Sequence, residues 1–69
     1  MSRTSLLTQR ELQVLALLAR GYSRPDIAEA LCVTSHTIKS HAGSVFAKIG
    51  AASKKEAADW YWENITLLG

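Results

Sequence analysis

Apolar residues recur at helical spacing in four segments of the chain, separated by short polar stretches. The recurring positions are Val14, Leu15, Leu17 and Leu18, then Ile27, Ala28 and Leu31, then Ile38, Ala42, Val45 and Ile49, and finally Ala57, Trp60 and Tyr61. A period of about 3.6 residues is typical of an amphipathic α-helix whose apolar stripe faces the core. The pattern therefore predicts an all-α fold without strands, with four helices at about residues 8–20, 24–31, 35–49 and 54–64.

Residues that can cap a helix stand at the start of each predicted segment. Hydroxyl groups that can accept an amide bond from the first turn occur at Thr8, Ser23, Thr34 and Ser53. Glu11 and Glu56 follow two of these hydroxyls at the spacing of a reciprocal capping box. Gly21 and Gly50 stand where the first and third helices should end, because glycine readily adopts the left-handed conformation found at helix ends.

The second and third predicted helices are close neighbours joined by a very short turn, as in a helix-turn-helix. Plain helical hairpins share this spacing, so the outward face of the third helix is more informative. That face carries His36, Lys39, Ser40, Gly43 and Ala47, and no acidic residue occurs between residues 34 and 50. Short side chains let a helix enter a groove about 12 Å wide, and the absence of carboxylates suits a surface against phosphates. An ordinary solvated lysine is the alternative for Lys39.

Composition excludes several other classes of protein. The chain has 69 residues and a net charge of +2, which suits one small, mildly basic domain and does not by itself indicate nucleic acid. One cysteine cannot form an internal disulfide, and with two histidines it falls short of a structural zinc site. We therefore expect no metal and no cofactor.

The same composition bears on location and catalysis. No apolar run approaches the roughly 20 residues that span a bilayer, and no signal-peptide core follows residues 1–5, so we expect a cytoplasmic domain. No nucleophile–base pair, carboxylate dyad or glycine-rich phosphate loop can be assembled from this chain. An enzyme with a small-molecule substrate is therefore not expected.

Several motifs follow one another without gaps from about Leu7 to Ala57. They are Leu7-Thr8-x-Arg10-Glu11, Val14-Leu15-x-Leu17-Leu18-Ala19-x-Gly21-x-Ser23, Ile27-Ala28-x-x-Leu31, Val33-Thr34-x-x-Thr37-Ile38-Lys39-x-His41 and Lys48-Ile49-Gly50. Together they resemble the LuxR/FixJ-type, GerE-like helix-turn-helix domain of bacterial transcription regulators. The resemblance implies that the third helix enters the major groove of double-stranded DNA. It also implies that the fourth helix pairs two copies, as a weak homodimer, on a roughly two-fold DNA site.

The resemblance also implies site residues, position by position. Those placed toward bases are Lys39, Ser40 and Gly43, with His36 on the same outward face. Those placed toward phosphates are Thr34, Thr37 and Lys54. Gly43 departs from the family pattern because it offers no side chain, and Ala47 and Ala51 replace larger residues common there. We therefore expect few direct base contacts and a larger contribution from DNA shape.

The outward face of the fourth predicted helix matches the family's dimer seam. Its residues are Lys55, Ala58, Asp59 and Trp62. In the alternative interpretation, Trp62 and the tail Ile65–Leu68 fold back on the domain's own core or touch a further domain.

Three other residues receive structural interpretations. Glu11 is expected to act as a capping carboxylate and also to pair with Lys48. His41 lies toward the core side of its helix, so we interpret it as a packing residue and not as a ligand or switch. Cys32 is interpreted as a turn residue and not as a redox sensor.

The sequence thus predicts a sequence-specific DNA-binding domain of a bacterial transcription regulator. The alternative is a helix-turn-helix module that contacts RNA polymerase or another regulator and binds DNA weakly or not at all. We expect residues 1–69 to form one domain, the C-terminal part of a longer regulator; the mass of the protein from its native source would test this. A membrane-tethered parent would still place the domain in the cytoplasm.

Overall fold

The computed structural model describes residues 7–68, and the side chains of residues 7–65. Its helices are α1 (Gln9–Ala19), α2 (Arg24–Leu31), α3 (Ser35–Ile49) and α4 (Lys54–Leu68), and this part of the chain contains no strand. The all-α prediction is therefore confirmed, and the predicted bounds agree closely except at the end of α4. Within residues 7–68, no helix combines the length and apolar character needed to cross a membrane. The expectation about residues 1–5 lies outside the described residues.

Helix α4 is longer than predicted, because it continues past Asn64 to Leu68. The Asn64 amide nitrogen donates to the Trp60 carbonyl oxygen at 2.8 Å, one turn earlier. The polar side chain is therefore satisfied within the helix, and no glycine or proline follows it before residue 69. Ile65, from the predicted tail, packs against the core, while the side chains of residues 66–68 lie outside the described residues.

Hydroxyl caps begin the helices as predicted, at Thr8, Ser23, Thr34 and Ser53. The capping box at Ser23 is complete. The Ser23 hydroxyl accepts a hydrogen bond from the Asp26 amide at 3.2 Å, and the Asp26 carboxylate accepts one from the Ser23 amide at 3.4 Å. The box predicted at α4 is only half formed. Ser53 accepts the Glu56 amide at 3.2 Å, but the described residues contain no return bond from the Glu56 carboxylate.

Three of the helices close in the same way at their carboxyl ends. A residue with positive φ stands at each end: Gly21 at 96°, Cys32 at 58° and Gly50 at 74°. The amide of the following residue then donates to a carbonyl oxygen in the last turn of the helix. These bonds run from Tyr22 to Leu17, from Val33 to Ala28 and from Ala51 to Phe46. Cys32 is thus a turn residue, as predicted. It adopts a conformation that costs a non-glycine residue roughly 1–2 kcal/mol.

The core consists of two clusters of buried side chains that share α1 and α3. The first joins α1, α3 and α4 and contains Leu7, Leu15, Val45, Ile49, Ala57 and Tyr61. The second joins α1, α2 and α3 and contains Val14, Leu18, Ile27, Ala28, Ile38 and Ala42. The inner face of α3 therefore serves both clusters, which fixes that helix against the rest of the domain. His41 lies at the margin of this face, half-buried.

Glu11 is a buried charged residue that ties the start of α1 to α3. Only 4% of its surface is exposed. Its Oε1 accepts the Thr8 amide at 2.8 Å and the Lys48 ammonium at 2.8 Å, and its Oε2 accepts the Ser44 hydroxyl at 2.6 Å. The predicted pairing of Glu11 with Lys48 is confirmed, whereas Ser44 had no predicted role. Directional bonds to two residues one turn apart on α3 set both its position along its axis and its rotation.

The environment of the Glu11 carboxyl favours its charged form. Burial alone would raise its pKa, but the hydrogen bonds from Lys48, Ser44 and the Thr8 amide, together with the Lys48 charge, outweigh burial. The pKa falls from 4.5 to about 2. A pKa that is lower in the folded state stabilises the fold at any pH above the unfolded-state pKa. That stability is lost as the pH falls through the folded-state pKa.

We predict that Glu11→Gln lowers the free energy of unfolding at pH 7 by about 2–3 kcal/mol, because an uncharged amide cannot form an ion pair with the Lys48 ammonium. The expected loss is smaller than the free energy that corresponds to the whole pKa shift of Glu11, because 35% of the Lys48 side chain is exposed to solvent. Urea unfolding followed by circular dichroism measures it. The difference from wild type should disappear as the pH falls from 4.5 to about 2.

Glu29→Gln is the matched control, since Glu29 is exposed on α2 and its variant should follow the wild-type curve at every pH. A constant gap between wild type and Glu11→Gln down to the lowest pH would contradict the linkage.

Candidate nucleic-acid interface

The turn between α2 and α3 sets the direction in which α3 leaves the core. Cys32 turns the chain with its left-handed backbone, and Val33 packs half-buried against the cluster shared with α2. Thr34 then caps α3 by accepting the Thr37 amide at 3.2 Å. The short connection and the shared cluster hold the two helices against each other, which is the connectivity of a helix-turn-helix.

The outward face of α3 is fully accessible to solvent. Its exposed residues are Ser35, His36, Lys39, Ser40, Gly43 and Ala47. The single ion pair among the described residues is that of Glu11 with Lys48, so the Lys39 ammonium carries a charge that no described carboxylate neutralises. The structure therefore gathers all four residues predicted to face bases on one accessible surface.

Gly43 leaves a gap in the middle of that face. A Cβ atom built on it would meet nothing within 4 Å, and its backbone is helical. The position therefore accepts a side chain without steric conflict, and the glycine costs α3 about 1 kcal/mol relative to alanine.

The first turn of α3 carries a pair of hydroxyl groups. The Oγ1 atoms of Thr34 and Thr37 lie 3.0 Å apart, and either can be the donor. Each hydroxyl has one proton to donate, so one proton serves this bond and the other is available to an outside acceptor. Together with the amides at a helix N-terminus, such a donor suits an anion. The structure thus brings two of the three predicted phosphate contacts together.

Lys54, the third predicted phosphate contact, lies away from the other two. It is exposed at the start of α4, and its Nζ donates to the Tyr22 carbonyl oxygen at 3.4 Å. A bond of that length is weak. The Lys54 side chain therefore lies near the α1–α2 turn and keeps most of its capacity to bind an anion.

The outward face of α4 is less uniform than the sequence indicated. Lys55 and Asp59 are exposed and Ala58 is half-buried, while Trp62 keeps 50% of its surface in solvent. The Trp62 Nε1 donates to the Ala19 carbonyl oxygen at 3.3 Å, and its ring meets that of Tyr61 edge-on at 5.1 Å. Trp62 thus folds back on α1 along one edge, as the alternative interpretation held, and presents the rest of its ring outward.

Negative charge collects on an adjoining side of α4, which shares Asp59 with the outward face and which the sequence alone did not indicate. Glu56, Asp59 and Glu63 line a shallow cleft of about 250 Å³ together with Trp60. Their spacing places them in one row along the helix, and that spacing is visible in the sequence. Because carboxylates repel phosphate, this side of α4 is unfavourable for nucleic acid.

A capped, carboxylate-free helix presented by a short turn from a three-helix support defines a helix-turn-helix domain of the DNA-binding class. Residues 5–61 match the family model GerE, described as bacterial regulatory proteins of the luxR family, and the chain belongs to that family. It is therefore a LuxR-type DNA-binding domain of a transcription regulator. The family consists of regulators and not of enzymes. The predicted family, DNA-binding class and non-enzymatic character are confirmed.

The chain is also similar to the HTH-type transcriptional regulator MalT of Serratia proteamaculans (strain 568). The two are 43% identical over 67 residues, which is 97% of this chain and 7% of that protein. The likeness therefore concerns a small part of a much longer regulator.

We predict that Gly43→Ala raises the free energy of unfolding by about 1 kcal/mol, because alanine restricts the unfolded chain and fits the helix without strain. Thermal unfolding measures the gain. Gly21→Ala is the matched control. Its added Cβ would also meet open space, but the φ of 96° there is unfavourable for alanine. It should lose stability, so a loss at Gly43 as well would contradict the proposed freedom of that site.

Proposed function

We propose that α3 lies in the major groove of double-stranded DNA, with Lys39, Ser40, Gly43 and His36 toward the bases. The observation that carries the proposal is the contrast between the two faces of α3. Its inner face is shared by both core clusters, while its outer face is exposed and free of carboxylates. A rigidly held helix with an accessible outer face is the arrangement that base recognition in a groove requires.

The chemistry of the outer face of α3 supports a helix that makes few direct contacts with bases. Lys39 can donate to the O6 and N7 acceptors of guanine, and Ser40 can bond to several base edges. Gly43 contributes no side chain, so direct contacts are few and DNA shape gains weight. Thr34, Thr37 and Lys54 would bind phosphates, which fixes the register of the helix without reading sequence.

We predict that Lys39→Ala weakens binding to the preferred DNA site by about tenfold, which lies at the lower end of a specific base contact. The preferred site comes from an unbiased selection of DNA by the wild-type domain, and a repeat of the selection with the variant should give a relaxed consensus. Arg10→Ala removes the same charge from an exposed position on α1 and should leave the consensus unchanged.

An unaltered consensus for Lys39→Ala would contradict the base-reading role. Titrations at two salt concentrations test the wider proposal, since phosphate contacts make affinity fall steeply with salt. A wild-type domain that fails to bind any DNA at low salt would exclude the major-groove mode altogether.

We also propose that two copies pair through α4, using Lys55, Ala58, Asp59 and Trp62. The charges of Lys55 and Asp59 are opposite and lie one turn apart, so a two-fold axis would set each against the other in the second copy. The small Ala58 permits close approach of the helices, and the outward half of Trp62 supplies an apolar anchor.

We predict that Trp62→Ala abolishes most of the cooperativity in binding two half-sites and leaves affinity for a single half-site unchanged. Gel-shift titrations on paired and single half-sites measure both quantities. Trp62→Phe distinguishes a role of Trp62 in pairing two copies from a role in holding α4 against α1 within one copy. Phenylalanine keeps an apolar ring but cannot donate to the Ala19 carbonyl. It should retain cooperativity, and wild-type cooperativity in Trp62→Ala would rule out this seam.

A further inference from the structure

We propose that Arg24 and Lys54 bind one and the same phosphate of the DNA backbone, at a cleft beside α3 that both residues line. The inference rests on the proposed major-groove mode. It adds Arg24 to the site and turns the isolated Lys54 contact into one half of a clamp.

The cleft encloses about 430 Å³ and draws on all four helices or their ends. It is lined by Leu18, Ser23, Arg24, Pro25, Phe46 and Lys54. Leu18, Pro25 and Phe46 provide apolar walls, while Arg24 and Lys54 are both exposed to solvent. Low-dielectric walls beside like charges concentrate their field, so the cleft attracts an anion more strongly than either cation would alone.

Neither cation is neutralised within the described residues. The only ion pair there joins Glu11 to Lys48, and the sole bond of Lys54 is the 3.4 Å contact with the Tyr22 carbonyl. Each cation is followed two positions later by an acidic residue: Asp26 directs its carboxylate to the Ser23 amide at 3.4 Å, and Glu56 lines the other cleft, on α4. Two unpaired cations lining one cleft repel each other, and an anion held between them would relieve that repulsion.

The position of Phe46 identifies that anion as a backbone phosphate. Lys39, Gly43 and Phe46 follow one another at the spacing of a single row along α3. The cleft that Phe46 lines therefore opens next to the row that is proposed to face the bases. With α3 in the groove, the strand bordering the groove passes along this side, and its phosphates are the anions within reach.

The test combines two variants with a neutralised phosphate, using the DNA selected by the wild-type domain. Arg24→Ala, Lys54→Ala and the double variant are titrated at several salt concentrations. Each phosphate contact contributes about 0.9 to the slope of log affinity against log salt. A shared phosphate predicts that the double variant loses no more than about 0.9 in slope, and that its loss of affinity is smaller than the product of the single losses.

Methylphosphonate substitution, moved one phosphate at a time along the site, locates the contact. At one position it should weaken wild-type binding, and at that same position it should have a smaller effect on either single variant and no further effect on the double variant. Arg24→Lys keeps the charge and should restore most of the salt slope. Arg10→Ala is the control for loss of charge alone, and thermal unfolding checks that every variant is folded.

Two results would overturn the clamp while leaving the proposed function intact. One is a pair of additive losses that map to different methylphosphonate positions, and the other is wild-type affinity for Arg24→Ala on a site where Lys39→Ala still relaxes the consensus. By contrast, a wild-type domain that binds no DNA at low salt would remove the proposed mode itself.

Discussion

The buried carboxylate of Glu11 is the interaction on which the geometry of this domain depends. The inner face of α3 is apolar, and apolar packing alone tolerates small rotations and slides of a helix. Hydrogen bonds are directional, so the bonds from Ser44 and Lys48 to one carboxylate select a single placement. Since the outer face moves with the inner one, a polar contact at the start of α1 determines how α3 is presented.

That contact also divides the labour among the cations. Lys48 belongs to α3 but is engaged with Glu11, so its charge is already offset within the domain. The cations that we propose to contact DNA stand elsewhere: Lys39 on the outer face of α3, and Arg24 and Lys54 at the neighbouring cleft. A net charge of only +2 thus understates the electrostatic asymmetry, because carboxylates gather on α4 and leave the outer face of α3 positive.

Local signals in the sequence predicted most of the fold and the location of the candidate site. Caps, glycine ends and apolar periodicity act within a few residues, and they predicted four helices and the exposed face of α3. The bond from Trp62 to Ala19 and the contribution of Ser44 were not predicted, because no local pattern in the sequence marks either residue's distant partner. Arg24 was not predicted for the same reason, since it lines a cleft with Lys54 only when all four helices are packed.

The open surroundings of Gly43 have a consequence for how such a domain changes over time. A Cβ added there would meet no neighbour, so in the proposed mode the protein could acquire a new base contact in one substitution without repacking its interior. Elsewhere in this small domain, most inward positions are committed to one of the two clusters. In the proposed mode, a substitution at position 43 could therefore change which DNA sites are preferred while the fold is preserved.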